Sequence, residues 1–296
     1  MKASQLAGAA ALAAWLAAGN AWADGHYTPG VEGLQGASVP GPGVYYLGYL
    51  VNYDIDSLRA PGSSADIPGR NTGTVTALAN RVVWMTGHKL LGADYGMETI
   101  VPVMRTSLTF NTPGISDSRS GVGDVYLGPL VLGWHGPQWD AVAAAGLWLD
   151  NASDSYPASP GKGFKSTMLT GGVTYYFDGA KTISGSALAR YEFNSKKDGG
   201  FRPGQQLTLE WGLGKSFGAF SAGAVGYSQW QTSNDKGPGA SDDRARRHAL
   251  GAEVVYPIAG AGIFLKGAAY KEFSARGGSE PQTRGTLVRL SLVKAF

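Results

Sequence analysis

From residue 43 onward the chain alternates apolar with polar or small side chains in short runs, the period-two pattern of strands with two unlike faces. In the run 204–216, Leu207, Leu209, Trp211 and Leu213 share one face, and Gln206, Thr208, Glu210 and Gly212 share the other. In 181–194, Ile183, Ala187, Ala189, Tyr191 and Phe193 oppose Ser184, Ser186, Arg190 and Glu192. The run 43–57 places Tyr45, Leu47, Tyr49, Val51 and Tyr53 opposite Gly48, Asn52 and Asp54. Turn residues punctuate these runs throughout, so the pattern predicts antiparallel strands at 43–57, 72–87, 90–110, 121–135, 138–150, 164–177, 181–194, 204–216, 219–232, 246–257, 261–273 and 283–296.

A soluble barrel turns its apolar face inward, whereas a membrane barrel turns it to lipid and keeps small and polar residues in the lumen. The connections favour the second. Brief joints fall at His88-Lys89, His135-Gly136-Pro137, Asp178-Gly179-Ala180, Phe217-Gly218 and Ile258-Ala259-Gly260, and longer ones between them, as at Arg59–Asn71, Asn151–Gly163, Lys196–Pro203 and Ser233–Ala245. Alternating short and long connections are expected of a barrel with periplasmic turns at one end and surface loops at the other. The fold class read from the pattern is therefore all-β: one transmembrane antiparallel β-barrel of about twelve strands spanning 43–296. Its closing run, from Thr286 through Val288, Leu290, Leu292 and Lys294 to the C-terminal Phe296, carries a mostly apolar face. An aromatic end of this kind resembles the signal by which the barrel-assembly machinery recognises its clients.

Two segments precede the barrel. Residues 1–23 have Lys2, an Ala/Leu-rich run over Leu6–Ala18 and the small-x-small sequence Ala21-Trp22-Ala23, which together predict a cleaved signal peptide and export to the bacterial outer membrane. Residues 24–42 are rich in Gly and Pro and lack alternation. They are read as a plug entering the lumen, with His26, Tyr27, Pro29 and Glu32 as its contact residues, or as a loose periplasmic tail.

Composition narrows the chemistry. The chain of 296 residues has no Cys, which excludes disulfides, thiolate metal sites and cysteine nucleophiles. Its 25 Lys and Arg nearly balance 22 Asp and Glu and form no basic block, so no nucleic-acid partner is expected. No cofactor, metal site or catalytic residue is predicted. Asp94, Glu98, Arg190, Glu192, Glu210, Glu253, Lys266 and Arg289 are expected on inward faces, where they orient a solute or pair with one another. Trp134, Trp139, Trp148, Trp211 and Trp230 are expected in interfacial girdles. The run Asp242-Asp243-Arg244-Ala245-Arg246-Arg247 is a candidate contact for lipopolysaccharide or divalent ions, or a solvated loop. Gly121-x-Gly123-Asp124 has phosphate-loop spacing but no helix follows it, so a tight strand start is expected.

His26-Tyr27-Thr28-Pro29-Gly30-Val31-Glu32-Gly33, Val39-Pro40-Gly41-Pro42-Gly43-Val44-Tyr45-Tyr46 and Gly121-Val122-Gly123-Asp124-Val125-Tyr126-Leu127-Gly128-Pro129-Leu130 resemble the start and middle of the outer-membrane family named for the meta-pathway of phenol degradation, and the closing strand its end. The resemblance implies a channel for small hydrophobic or aromatic compounds, with outer-membrane lipid and lipopolysaccharide around it. Two other classes remain open. An outer-membrane lipid hydrolase would place a Ser and a His on the lipid-facing wall, but His26, His88, His135 and His248 lie beside no recognisable nucleophile motif. A structural or adhesive barrel would keep its lumen shut.

Overall fold

The computed structural model describes residues 25–112, 114–258 and 260–296; the predicted signal peptide at 1–23 lies outside the described residues. Among those residues there are thirteen strands: β1 (Gly43–Arg59), β2 (Asn71–Leu90), β3 (Ala93–Phe110), β4 (Ile115–Val122), β5 (Tyr126–His135), β6 (Trp139–Trp148), β7 (Ser166–Tyr176), β8 (Ile183–Asn194), β9 (Gln206–Ser216), β10 (Ser221–Gln231), β11 (Arg246–Ile258), β12 (Ile263–Arg276) and β13 (Gln282–Ala295). Every pairing is antiparallel, and β1 bonds both β2 and β13, so the sheet closes on itself and leaves no wall edge unpaired in lipid.

The wall nevertheless has twelve positions. The strand predicted at 121–135 is two strands, because β4 and β5 both pair with β3, β4 against Val103–Phe110 and β5 against Asp94–Ile100. Between Val122 and Tyr126 three residues face the two residues Val101 and Pro102 of β3. Pro102 has no N–H to give the ladder, so the pairing fails there and the extra residue bulges. Gly123 N–H is recovered by the Pro102 carbonyl at 2.9 Å. Gly121-x-Gly123-Asp124 is thus the break inside one wall strand rather than a strand start.

The connections at one end are all short, and four of the six at the other end are long, at 60–70, 149–165, 195–205 and 232–245; the other two there, at 111–114 and 277–281, are as short as the turns opposite, so the expected alternation holds only in part. The first tight turn is also shifted. His88 and Lys89 lie within β2, and the first tight turn is Leu91-Gly92, both with positive φ (52° and 75°). Two left-handed residues make the turn whose twist matches that of the flanking strands.

Outward faces in β8, β9 and β13 are apolar: Leu213 is 53% exposed and Leu290 59%, values that only a lipid environment makes reasonable for a band of such residues. β1 is inverted relative to expectation. Tyr49, Val51 and Ile55 are buried inside the barrel, while Leu50, Asn52 and Asp54 face out. The reason lies in what fills the lumen. Tyr49 and Val51 pack with Leu34, Tyr227, Tyr270 and Leu287, and Val83, Met85, Val131 and Leu188 pack round Ala37, so residues 25–42 bring an apolar core into the barrel and the facing wall is apolar to match.

Candidate functional site in the barrel lumen

Residues 25–42 run inside the barrel, from the short-turn end at Gly43 upward to Gly25, and the wall meets their backbone group by group. His26 N–H donates to Glu192 Oε1 (2.9 Å), Glu32 N–H to Glu210 Oε2 (3.1 Å), Leu34 N–H to Glu253 Oε1 (3.3 Å) and Gly36 N–H to Ser186 Oγ (3.3 Å). A segment without strand pairing must find such partners when buried. Three carboxylates and one hydroxyl on β8, β9 and β11 supply them.

Glycine makes the close approach possible. At Gly33 (φ +67°) a Cβ would collide with the Glu253 carboxylate, and on the wall a Cβ on Gly212 would stand 2.9 Å from the Gly33 carbonyl. Leu34 lies over Gly212 and Gly214.

The tightest point is Glu32. Its Oε1 accepts from Arg81 Nη1 at 3.0 Å and Arg190 Nη2 at 2.6 Å, and Arg81 is held from its other side by Glu98 at 2.6 Å. Burial alone would raise the Glu32 carboxyl, but the two guanidinium groups outweigh it and hold the group at about 2. Five residues up the segment, Arg190 also donates to the Tyr27 hydroxyl (2.5 Å), whose own proton goes to Glu210. Burial pushes the Tyr27 phenol well up, so it stays a neutral donor.

The tip is anchored at His26, which stacks on Trp148 (ring centroids 5.5 Å apart). Its Nδ1 lies 2.9 Å from Ser166 Oγ and its Nε2 3.3 Å from Asp124 Oδ2. Burial lowers the imidazole pKa against the pull of Asp124, so the ring is neutral in this position. Asp124 sits in the wall break and also accepts the N–H groups of Asn151, Ala152 and Lys162. These bonds tie the 149–165 connection over the segment's tip.

The segment divides the lumen into two chambers. The one at the long-loop end, about 270 Å³, is faced by Tyr49, Val51, Tyr53, Ile55, Met104 and Trp148. The one at the short-turn end, about 390 Å³, is faced by Leu34, Val39, Val83, Val131, Val142 and Leu188, with Lys181, Lys215 and Lys266 among them. Val31, Glu32, Tyr49, Arg81, Glu98 and Arg190 touch both chambers and form the partition.

Of the residues singled out from sequence, Glu98, Arg190 and Glu210 meet at the Glu32–Tyr27 cluster. Glu192 receives the segment's tip, and Glu253 pairs with Arg289, which also donates to the Gly30 carbonyl at 3.0 Å. Asp94 lies apart, near the short-turn end, with Lys89 (2.8 Å) and His135 (3.6 Å). Lys266 faces the lower chamber. Pro29 lines the upper one. Arg81 and Asp124 carry as much of the site as any of these and were missed, since a polar residue in an apolar strand run and an Asp in a Gly-rich stretch have no local signature of lumen contact.

Two other expectations are corrected. Trp148 is not in a girdle: it is 6% exposed and turned inward, because the tip of the segment stacks on it. In the run 242–247, Arg247 points into the barrel, where its Nε donates to Gln229 Oε1 (2.9 Å), and Asp243 pairs with Arg276, so this is not a uniformly solvated ionic loop.

The fold also brings two histidines to serines that no sequence motif announced. Ser166, beside His26, is 1% exposed and donates to Asn194 Oδ1 at 2.6 Å, so it has neither access nor a free proton for an acyl substrate. Ser228 lies 2.9 Å from His248 Nδ1 on the outer wall between Trp230 and Phe273, and among the described residues no carboxylate or amide orients that imidazole.

A family model described as putative MetA-pathway of phenol degradation matches residues 56–289. Comparison with curated protein sequences finds no match. Among solved structures, an outer membrane channel from Pseudomonas putida F1 superposes with TM-score 0.76 at 14% identity, covering 92% of this chain and 100% of that one. The translocator domain of the autotransporter NalP from Neisseria meningitidis gives TM-score 0.49 at 10% identity over 88% and 91% of the two chains. The CymD monoaromatic hydrocarbon channel gives 0.46 at 10% identity over 87% and 89%. At 14% identity the first of these is a likeness of fold.

Proposed function

The chain belongs to the family described as putative MetA-pathway of phenol degradation, and from that premise we propose that it is an outer-membrane channel for passive uptake of small hydrophobic or aromatic compounds. The observation that carries the reading is the inner wall of β1–β3 with the two chambers it faces. A polar-solute pore has no use for Tyr49, Val51, Tyr53 and Ile55 turned inward, whereas an apolar solute gains from each such contact. Charges at the partition are mutually paired, and most of the surface of the upper chamber is apolar.

In this reading residues 24–42 are a plug whose movement opens the partition, and residues 1–23 are a signal peptide removed on export. The strand ending at Phe296 engages the assembly machinery, and the exposed apolar band meets outer-membrane lipid and lipopolysaccharide. The protein acts by passage rather than catalysis, which agrees with the sealed Ser166 and the unoriented His248.

A liposome uptake series over phenols, alkanes, aromatic acids and sugars tests the reading. Phenols and other small aromatic compounds should enter faster than sugars of similar size, and deletion of Gly25–Val39 should raise the flux while the barrel stays folded. Equal uptake of sugars and aromatics would refute the assignment. Unchanged flux after the deletion would return the segment to a structural role.

A further inference from the structure

We propose that Lys266 is an anion-binding site in the short-turn chamber, and that the solutes this channel favours include small organic monoanions with an apolar body, such as aromatic carboxylates. The inference rests on the passage reading above and narrows its solute class.

The cations of the lumen fall into two groups. Arg81, Arg190 and Arg289 each have a carboxylate partner and donate further hydrogen bonds to the plug or wall. Lys266 does not: among the described residues it forms neither a hydrogen bond nor an ion pair, although it points inward from β12 and lines the lower chamber. The nearest acidic groups are already committed, Glu253 to Arg289 and Glu32 to Arg81 and Arg190. The half-buried ammonium group opens on the chamber without an ion pair of its own, so an anion entering there would give it a partner.

Its neighbours define the rest of the ligand. Leu34, Val83, Val142 and Leu188 face the same chamber and offer an apolar surface to the ligand's body. Lys181 and Lys215 stand at the mouth, exposed and without ion pairs among the described residues. Lys266 lies three residues in from the start of β12, about 10 Å along the strand from the rim. The three ammonium groups therefore rank from the mouth toward the Glu32 partition, an arrangement that concentrates anions on that side.

The test is equilibrium binding by isothermal titration calorimetry on the purified full-length barrel in detergent, with benzoate and its neutral counterpart benzyl alcohol. Liposome uptake of both solutes is measured alongside. Benzoate should bind more tightly than benzyl alcohol to the wild type. Lys266→Met should weaken benzoate about 10- to 100-fold, the range of a charge-assisted hydrogen bond, and leave benzyl alcohol unchanged. Lys266→Arg should retain most of the preference. Heat-dependent migration on gels establishes that each variant is folded. If wild-type protein binds the two solutes equally, the site is refuted whatever the variants do, and it is equally refuted if folded Lys266→Met binds benzoate as the wild type does. Passage is read separately: a Lys266-dependent benzoate site with no liposome uptake of either solute would sink the channel reading and leave the binding site standing.

Discussion

The Glu32 clamp sets how firmly the N-terminal segment is docked, and its contribution can be worked out from the structure. A carboxyl that titrates near 4.5 when free and about 2 when clamped is worth about 3 kcal/mol of docking at neutral pH, at 1.36 kcal/mol per unit. Glu32→Gln keeps the shape and an acceptor oxygen but removes the charge. Arg81 and Arg190 are not stranded by the change, because Glu98 (2.6 Å) and Glu210 (3.9 Å) remain beside them. The loss should therefore approach that value without a further penalty for an unpaired buried charge, and the undocked population should rise about 100-fold. Amide hydrogen exchange over residues 25–42 reads this directly, since the N–H groups of His26, Glu32, Leu34 and Gly36 are bonded only while the segment is docked. Exchange in peptides from the wall strands should not change. If Glu32→Gln leaves exchange of the segment within twofold of wild type, the clamp does not hold the segment in place. The same carboxyl gives an acid limit: docking is complete above about pH 4.5 and weakens as pH falls from there toward 2, because the free segment then binds a proton that the docked one excludes.

Other consequences can be checked together. His26 is docked as the neutral imidazole, so its contribution is full above pH 6.5 and is lost as pH falls below that value; exchange of the tip, corrected for intrinsic rate, should accelerate between pH 8 and pH 5, and His26→Phe should remove the imidazole's share of that acceleration. Gly33→Ala combines a left-handed φ with a collision against Glu253, so it should expel the segment and raise single-channel conductance while heat-modifiable migration persists; unaltered conductance would contradict the close approach. Asp124→Ala removes the acceptor for Asn151, Ala152 and Lys162 and should expose the 149–165 connection to proteolysis, at a local cost of about 2 kcal/mol or more. Persistence of the wild-type cleavage pattern would show that the wall break does not organise this loop.

Strand existence, antiparallel order and the closing aromatic were legible because they rest on near-neighbour chemistry: side chains two apart share a face, and glycines and turn residues interrupt them. In β8 and β9 this rule also gave the correct sides, since lipid outside and polar lumen inside impose opposite demands on alternate residues. The same rule failed for β1, whose Tyr49 and Val51 face inward, and for Trp148, because what lies across the lumen there is an apolar stretch of the chain's own N-terminus. Alternation tells two faces apart but not what each face meets. The wall break is a similar case: Pro102 and Gly123-Asp124 are far apart along the chain, and only the pairing of β3 with both β4 and β5 sets the missing N–H opposite the extra residue. Arg81, Glu32 and Arg190 likewise belong to three separate stretches of sequence, each ordinary by itself, and closure of the barrel around residues 25–42 brings them within hydrogen-bond reach. The barrel was therefore written in the chain, whose strand information is local and repeated, while the partition of the lumen and the unpaired Lys266 below it came from tertiary contacts between segments up to 259 residues apart, for which no local signal exists.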